Sequence, residues 1–213
     1  MKEKISVAMV ASNLELNGIS SVIMNYCRNI DANKFKITIL AGSEINEDFK
    51  EECRRLNVEI RELYSKRKSK YKYYISLFKS IHKNEFDIFH VHGNSAAMAL
   101  DLFVAYLKGI KVRIAHSHNT VCDNIKMHKL LSPIFQRLYT HAFACSQKAG
   151  EWIFNKDKFE IINNGIEIKK YLFDINIRSE VRTKLHIEND EVLIGHIRKN
   201  KLSKKSRILT PDI

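Results

Sequence analysis

Short apolar runs alternate along this chain with longer segments of helical period, and no other feature constrains the fold as strongly. Strands are placed at residues 4–11, 35–41, 58–62, 86–91, 112–116, 142–145 and 159–162, as expected of a parallel sheet covered on both faces. Between the first two runs, Ile19, Val22, Ile23, Tyr26, Cys27 and Ile30 recur at three- and four-residue steps, as the buried stripe of a helix must. Tyr71, Tyr74, Ile75 and Phe78 form a second such stripe, and Ala96, Leu100, Phe103, Val104 and Leu107 a third. Ile134, Phe135 and Leu138 form a fourth, with Ser132 as its N-cap and Pro133 as its first helical residue. Strand–helix alternation of this kind predicts an α/β fold: a Rossmann-like parallel sheet with helices on both faces. One domain is expected over residues 1–190, followed by an apolar run at 191–197 and a basic, disordered tail at 198–213.

With 213 residues, 45% of them hydrophobic, the chain can bury one sizeable core. Cys27, Cys53, Cys122 and Cys145 stand far apart without CxxC spacing, which argues against a zinc ribbon and a disulfide framework and fits a reducing cytoplasm. The apolar run after Lys4 is too short for a secretory leader and soon meets Asn13 and Glu15, so it reads as the first strand. No stretch reaches the roughly 18 apolar residues of a membrane span, and residues 96–107 are interrupted by Asp101. A net charge of +12 favours an anionic partner. Lys66, Arg67, Lys68, Lys70 and Lys72 precede a tyrosine-rich amphipathic stretch, a combination suited to the surface of an anionic membrane, although a merely solvated face explains it too. The second basic cluster, residues 198–207, has no accompanying nucleic-acid-binding motif, and no nucleic-acid partner is expected.

Ligands of open α/β sheets bind beyond the carboxyl ends of the strands, so the residues just after each run carry the functional information. They are polar here: Asn17-Gly18 after the first, His92-Gly93-Asn94 after the fourth, His118-Asn119 after the fifth, Ser146 after the sixth and Asn164-Gly165 after the last. Gly18 at a helix start would let backbone N–H groups approach a phosphate; a glycine required only by a tight turn is the alternative. Neither GxGxxG nor GxxxxGK[ST] occurs, which removes the usual signature of nicotinamide and flavin enzymes and of P-loop proteins. His90/His92 and His116/His118 would each point to one face of an extended chain, but no carboxylate adjoins either pair, so no metal is expected. His90 and His116 read as histidines satisfied within the sheet, His92 and His118 as contacts to a hydroxyl-rich ligand.

Asn17-Gly18-Ile19-Ser20-Ser21, residues 87–93, residues 115–119, Ala144-Cys145-Ser146 and residues 162–167, taken in order and spacing, resemble glycosyltransferase family 4, retaining enzymes of GT-B architecture that build capsular and other polysaccharides and lipid-linked glycans. The resemblance covers residues 4–197. It implies an amino-terminal, acceptor-side domain in which Gly18 approaches the donor phosphates, His118 is the catalytic residue beside the reacting sugar, and His92 and Asn119 contact the acceptor. It implies a UDP- or GDP-linked sugar as substrate and no cofactor. The family's first loop carries two adjacent glycines; this chain has Asn17-Gly18-Ile19. By the same resemblance residues 191–197 correspond to the first strand of a donor domain that does not follow, so the chain is expected to be a truncated, inactive half, served if at all by a separate donor-domain chain. A non-catalytic glycan- or partner-binding module and a sugar-nucleotide epimerase-like domain are the alternatives. A cytoplasmic location, peripheral to the inner membrane face, accompanies the leading reading.

Overall fold

The computed structural model describes residues 4–155 and 158–194. Seven parallel strands, β1 (Ile5–Ala11), β2 (Phe35–Gly42), β3 (Glu59–Leu63), β4 (Ile88–Gly93), β5 (Val112–Ser117), β6 (His141–Ala144) and β7 (Glu160–Ile161), form one sheet in the order β3-β2-β1-β4-β5-β6-β7. The order reverses between β1 and β4, where Val10 lies opposite Val91. Registers such as Gly93 opposite Ser117 and Ala144 opposite Ile161 bring the carboxyl ends of β4 to β7 to one rim.

Helices cover both faces because strand residues alternate between two cores. Val7, Met9 and Ala11 of β1 pack with Ile23, Met24 and Cys27 of α1 (Gly18–Asn29) and Phe49 and Cys53 of α2 (Glu47–Arg55). Ala8 and Val10 face the other way, into a core with α3 (Lys70–Ser80), α4 (Met98–Leu107), α5 (Ile125–Leu138) and α6 (Gln147–Ile153). Asn17, Asn46, Ser69, Asn124 and Ser146 each cap their helix through a side-chain oxygen that accepts a backbone N–H. The cysteine thiols are free, and burial pushes those of Cys27 and Cys53 up to about 12 and about 11, which makes them inert packing groups.

Two of the expected stripes are turned outward. In α3 the buried residues are Tyr73 and Leu77, while Tyr71, Ile75 and Phe78 are exposed and only Tyr74 packs partly inward. In α4, Met98, Ala99, Asp101, Leu102, Val104 and Ala105 are buried, and Leu100, Phe103 and Leu107 are not. Helix α4 is apolar around most of its circumference, and α3 carries aromatic and aliphatic residues on more than one side, interspersed with Lys70, Lys72 and Lys79, so periodicity cannot choose the inner face. Small Ala99 and Ala105 let α4 lie close to the sheet, and the hydroxyl of Tyr73 donates to the buried Asp101 carboxylate at 3.0 Å, which fixes the rotation of both helices. The fourth helix also begins earlier than the Ser132-Pro133 signal: α5 starts at Ile125, and Pro133 lies inside it. The missing proline N–H is tolerated where Lys129, whose carbonyl would have received it, is exposed to solvent.

The compact unit closes at Ile166, earlier than residue 190. A second unit follows, with a 3-10 turn at Ile168–Tyr171 and α7 (Ile175–Lys184), capped by Asp174 and stapled to its own downstream loop by Arg182, which donates to the carbonyls of Glu188 and Glu191. Residues 192–194 are not in a strand; the remainder of the apolar run and the basic tail lie outside the described residues. Among the described residues no helix is long and apolar enough to cross a membrane.

Candidate functional site at the carboxyl rim of the sheet

The strand exits place Ser12, His92, Gly93, His118 and Ser146 along one edge. Asn17 holds its own loop, its side chain donating to the Asn13 amide oxygen at 3.0 Å and accepting from Ser20 N–H at 3.0 Å. Gly18, the first residue of α1, is exposed, and a Cβ built there would meet nothing within 4 Å. Neither a left-handed backbone nor a close neighbour therefore requires this glycine: the space a side chain would fill at the helix start is open. Gly93 differs, since a Cβ there would come within 2.9 Å of the Met98 side chain. The Asn163–Gly165 loop is exposed and is tied back to α1, where the Asn25 amide donates to the Gly165 carbonyl at 2.6 Å. Ser146 is spent on capping α6, and Asn119 accepts the Thr120 N–H within its own turn.

The four histidines of β4, β5 and the β5 exit form one buried group. His90 Nε2 and His116 Nδ1 are 3.2 Å apart with rings parallel to within 3°. His92 Nδ1 and His118 Nε2 are 2.9 Å apart. The second hydrogen-bonded pair stacks on the first, with ring centroids 4.1 Å apart for His90 and His92 and 4.2 Å for His116 and His118. Tyr26 of α1 and Phe143 of β6 pack against the group. Burial, reinforced by neighbouring imidazoles, holds His90 at about 3, His92 well below its ordinary value and His116 at about 2; burial brings His118 to about 4. All four are neutral at pH 7. Nitrogens of His90, His92 and His116 lie within 4.8 Å of one another, near enough to consider a metal. A ligated metal, however, sits in the plane of each imidazole, and stacked rings aim their lone pairs along offset, near-parallel lines. Two of these nitrogens are moreover already bonded to each other, so hydrogen-bonded pairing suits this geometry better than coordination.

Of the four, His118 alone is not fully buried, and it is fixed at the rim: its backbone N–H donates to the Gly93 carbonyl at 3.0 Å and its ring is held by His92. His92 Nε2 and His116 Nε2 are enclosed without a partner. Of the two donor assignments, His92 Nδ1–H donating to His118 Nε2 leaves a bare lone pair enclosed at His92; the reverse leaves an enclosed N–H, which folded proteins avoid more strictly. The favoured assignment leaves His118 Nδ1–H as the donor at the rim.

A group that the sequence reading did not assemble lies beside it. Lys66 is turned inward and donates to the Asp101 carboxylate at 3.0 Å, which Tyr73 also engages, so this lysine does not belong with the outward cations at 67–72. The three line a cavity of about 140 Å³ with Ser12, His92 and Asn94, at the point where the strand order reverses. The available signal was Asp101 itself, a single acid in an otherwise apolar helix, which must find a partner if the helix is buried.

Comparison with known proteins agrees with this architecture. Residues 16–170 match the model of Glycosyltransferase Family 4. A glycosyltransferase of Bacillus subtilis (strain 168), EpsF, is 25% identical over 205 residues, covering 90% of this chain and 53% of that protein. The crystal structure of Anabaena HepE in complex with UDP and glucose superposes with a TM-score of 0.67 at 11% identity, over 85% of this chain and 50% of that one. A UDP-N-acetylglucosamine 2-epimerase from Listeria monocytogenes gives 0.51 at 10% identity, over 76% and 46%. At such identities these structures share a fold with the chain and no more. The chain spans about half the length of the relatives it matches. The rim chemistry, the seven-stranded parallel sheet and the match over residues 16–170 together make the chain a member of glycosyltransferase family 4.

Proposed function

We propose that this chain is the acceptor-side part of a retaining sugar transferase working at the cytoplasmic side of a membrane, taking a UDP- or GDP-linked sugar and a polysaccharide or lipid-linked glycan as substrates in capsule or related polysaccharide synthesis. The observation that carries the reading is His118: an imidazole kept neutral by burial, locked by His92 and presenting one ring nitrogen at the rim. A neutral Nδ1–H suits a sugar hydroxyl, and it costs no reorganisation when charge builds on the oxygen it touches. The open helix start at Gly18 suits a diphosphate, and HepE, of the same fold, holds UDP. Transfer also requires a closed cleft that excludes water. The 213-residue chain alone supplies one wall, and by itself it should bind substrates and turn over negligibly.

Two measurements test this. Saturation-transfer NMR of the chain with UDP- and GDP-sugars and a panel of glycans should detect contact, weakened by His118→Ala; silence toward every one of them would sink the proposal. Joining the chain to the donor domain of a relative should restore transfer, with His118→Ala reducing the rate by roughly 100-fold or more. Binding without any transfer in the joined protein would favour the non-catalytic module instead.

A further inference from the structure

Helix α6 holds both sides of the contact that fixes His118. Ser117, one residue before His118, is buried and its hydroxyl donates to the Ala149 carbonyl of α6 at 2.7 Å. Across the β4–β5 pair, the Trp152 indole N–H of α6 donates to the Asn94 carbonyl at 2.9 Å. Asn94 follows Gly93, whose carbonyl receives the His118 N–H. A helix of seven residues would fray by itself, but Ser146 caps its start, and Gly150 lies so close to the Phe159 ring that a Cβ there would overlap it.

A second tie comes from α5. His128 Nδ1 accepts the Ala96 N–H at 3.2 Å, and because a backbone N–H can only donate, this ring carries its proton on Nε2. Burial, and after it the charge of Lys129, lowers the His128 pKa, so the accepting lone pair persists at neutral pH. The His128 ring stacks on Trp152, with centroids 4.9 Å apart and planes within 21°. The Ala97 and Met98 N–H groups turn back on Ser95, and the segment's anchors in other elements are His128 and Trp152. Packing alone would be served by any two stacked rings. Here both rings also direct a nitrogen at the backbone of one short segment, which phenylalanine in the same space could not do. Such anchoring matters at a rim, because displacing a reacting group by 1 Å costs roughly 100-fold in rate.

We propose that Trp152 and His128 are positioning residues for the rim. Through the Asn94 carbonyl and the Ala96 N–H they lock residues 93–96, and so set where the Gly93 carbonyl holds His118 and where Asn94 and Ser95 wall the cavity beside Lys66 and Asp101. Neither residue needs to touch a substrate. The consequence for transfer rests on the reading of His118 as the residue that meets the sugar; the mechanical coupling does not.

The test is backbone amide exchange, followed by NMR on the 213-residue chain without any sugar. In the unaltered chain the Ala96 and His118 amides should open as one unit, with protection factors within about 3-fold of each other. Trp152→Phe keeps the stacked ring and removes its N–H; it should speed exchange at His118 by roughly 10-fold while leaving Ile23 of α1 within about 2-fold. His128→Phe should do the same. His128→Asn, whose side-chain oxygen can accept the Ala96 N–H, should restore most of the protection. Glycan contact, read by saturation transfer on the same samples, should weaken in step with the protection of His118. Silence toward glycans with this exchange pattern intact would remove the sugar reading and support the coupling. Should a variant fail to fold by circular dichroism, the comparison of Ala96 with His118 in the unaltered chain still decides. Unequal protection of those two amides overturns the proposal. So does exchange that rises within α6 while His118 is unmoved, or a His128→Asn variant no better protected than His128→Phe.

Discussion

On the α1–α2 side of the sheet, polar groups are packed where apolar ones usually belong: four imidazoles stack beneath Tyr26, and two of their nitrogens have no partner. On the α3–α5 side the departure is the reverse, with Phe103, Leu107 and Tyr71 standing outside while Asp101 is 1% exposed within. Neither arrangement is what burial alone selects. The inward-polar side pays by enclosing groups that water would otherwise satisfy, and in return it holds His118 as a neutral, oriented donor at the rim. The outward-apolar side leaves surface in water that a partner could cover. The difference teaches that one sheet can depart from simple burial in two ways: one side encloses directional hydrogen-bonding groups, and the other leaves apolar side chains in water while burying a carboxylate.

The contrast can be broken most forcefully with acid. Unfolding frees imidazoles whose folded pKa values are depressed, so the unfolded state binds more protons than the fold from about pH 6.5 down towards about 4. Stability should be fully present above pH 6.5 and fall as pH drops through that window, by up to about 1.4 kcal/mol per pH unit for each buried histidine and so several kcal/mol in all. Urea titrations at stepped pH measure it. Glu59 and Asp87, lowered by Arg61 and Ser6 respectively, add their losses at lower pH, so the interval above about pH 5 isolates the histidines. A flat profile there would mean that the imidazoles are not buried as a group.

A somewhat smaller effect probes the other side. Asp101→Ala leaves the inward Lys66 and the Tyr73 hydroxyl without their acceptor and should cost about 3–5 kcal/mol in urea denaturation. Adding Lys66→Met should recover part of that, because the stranded charge is then gone. No recovery in the double variant would place the cost in the packing of α4 rather than in the ion pair.

Next come the paired substitutions that decide which faces of α3 and α4 are core. Leu77→Ala and Leu102→Ala should each cost about 2–5 kcal/mol, whereas Ile75→Ser and Phe103→Ser should stay within about 0.5 kcal/mol. The sequence stripe predicts the opposite ranking, so one thermal or urea series separates the two. The smallest effect is at Gly18: replacement by alanine should change stability by only a few tenths of a kcal/mol, since the added Cβ meets nothing, and any loss should appear in nucleotide-sugar binding instead.

How much could be read in advance varied from element to element. The inner strands β1, β2, β4 and β5 were legible to within a few residues because a strand buried on both faces must be a short, nearly continuous apolar run, whereas the edge strands β3 and β7 carry charged residues and are largely exposed or half-buried. Helix α1 was legible as well, since its apolar residues occupy one side only and Arg28 and Asn29 mark the other. Helices α3 and α4 were not, because apolar residues lie on more than one side of each and give periodicity no single stripe to choose. Pro133 misled for a related reason: a proline favours a helix start, but Asn124 offered a capping oxygen nine residues earlier and the chain took it.

For the candidate site, position along the chain gave the rim residues, because parallel topology sends every strand exit to the same edge. It could not give the pairing of His90 with His116 and His92 with His118, which depends on the register between β4 and β5. Nor could it give the union of Lys66, Tyr73 and Asp101, drawn from a loop and two helices. The sequence by itself determined the order of elements, the α/β class and which residues would stand at the carboxyl edge, since these follow from local apolar pattern and chain direction. Helix rotation, imidazole partners and which lysine turns inward were decided only by tertiary structure, because each is settled by contacts between residues distant in the chain, where hydrogen-bond satisfaction and close packing outweigh local preference.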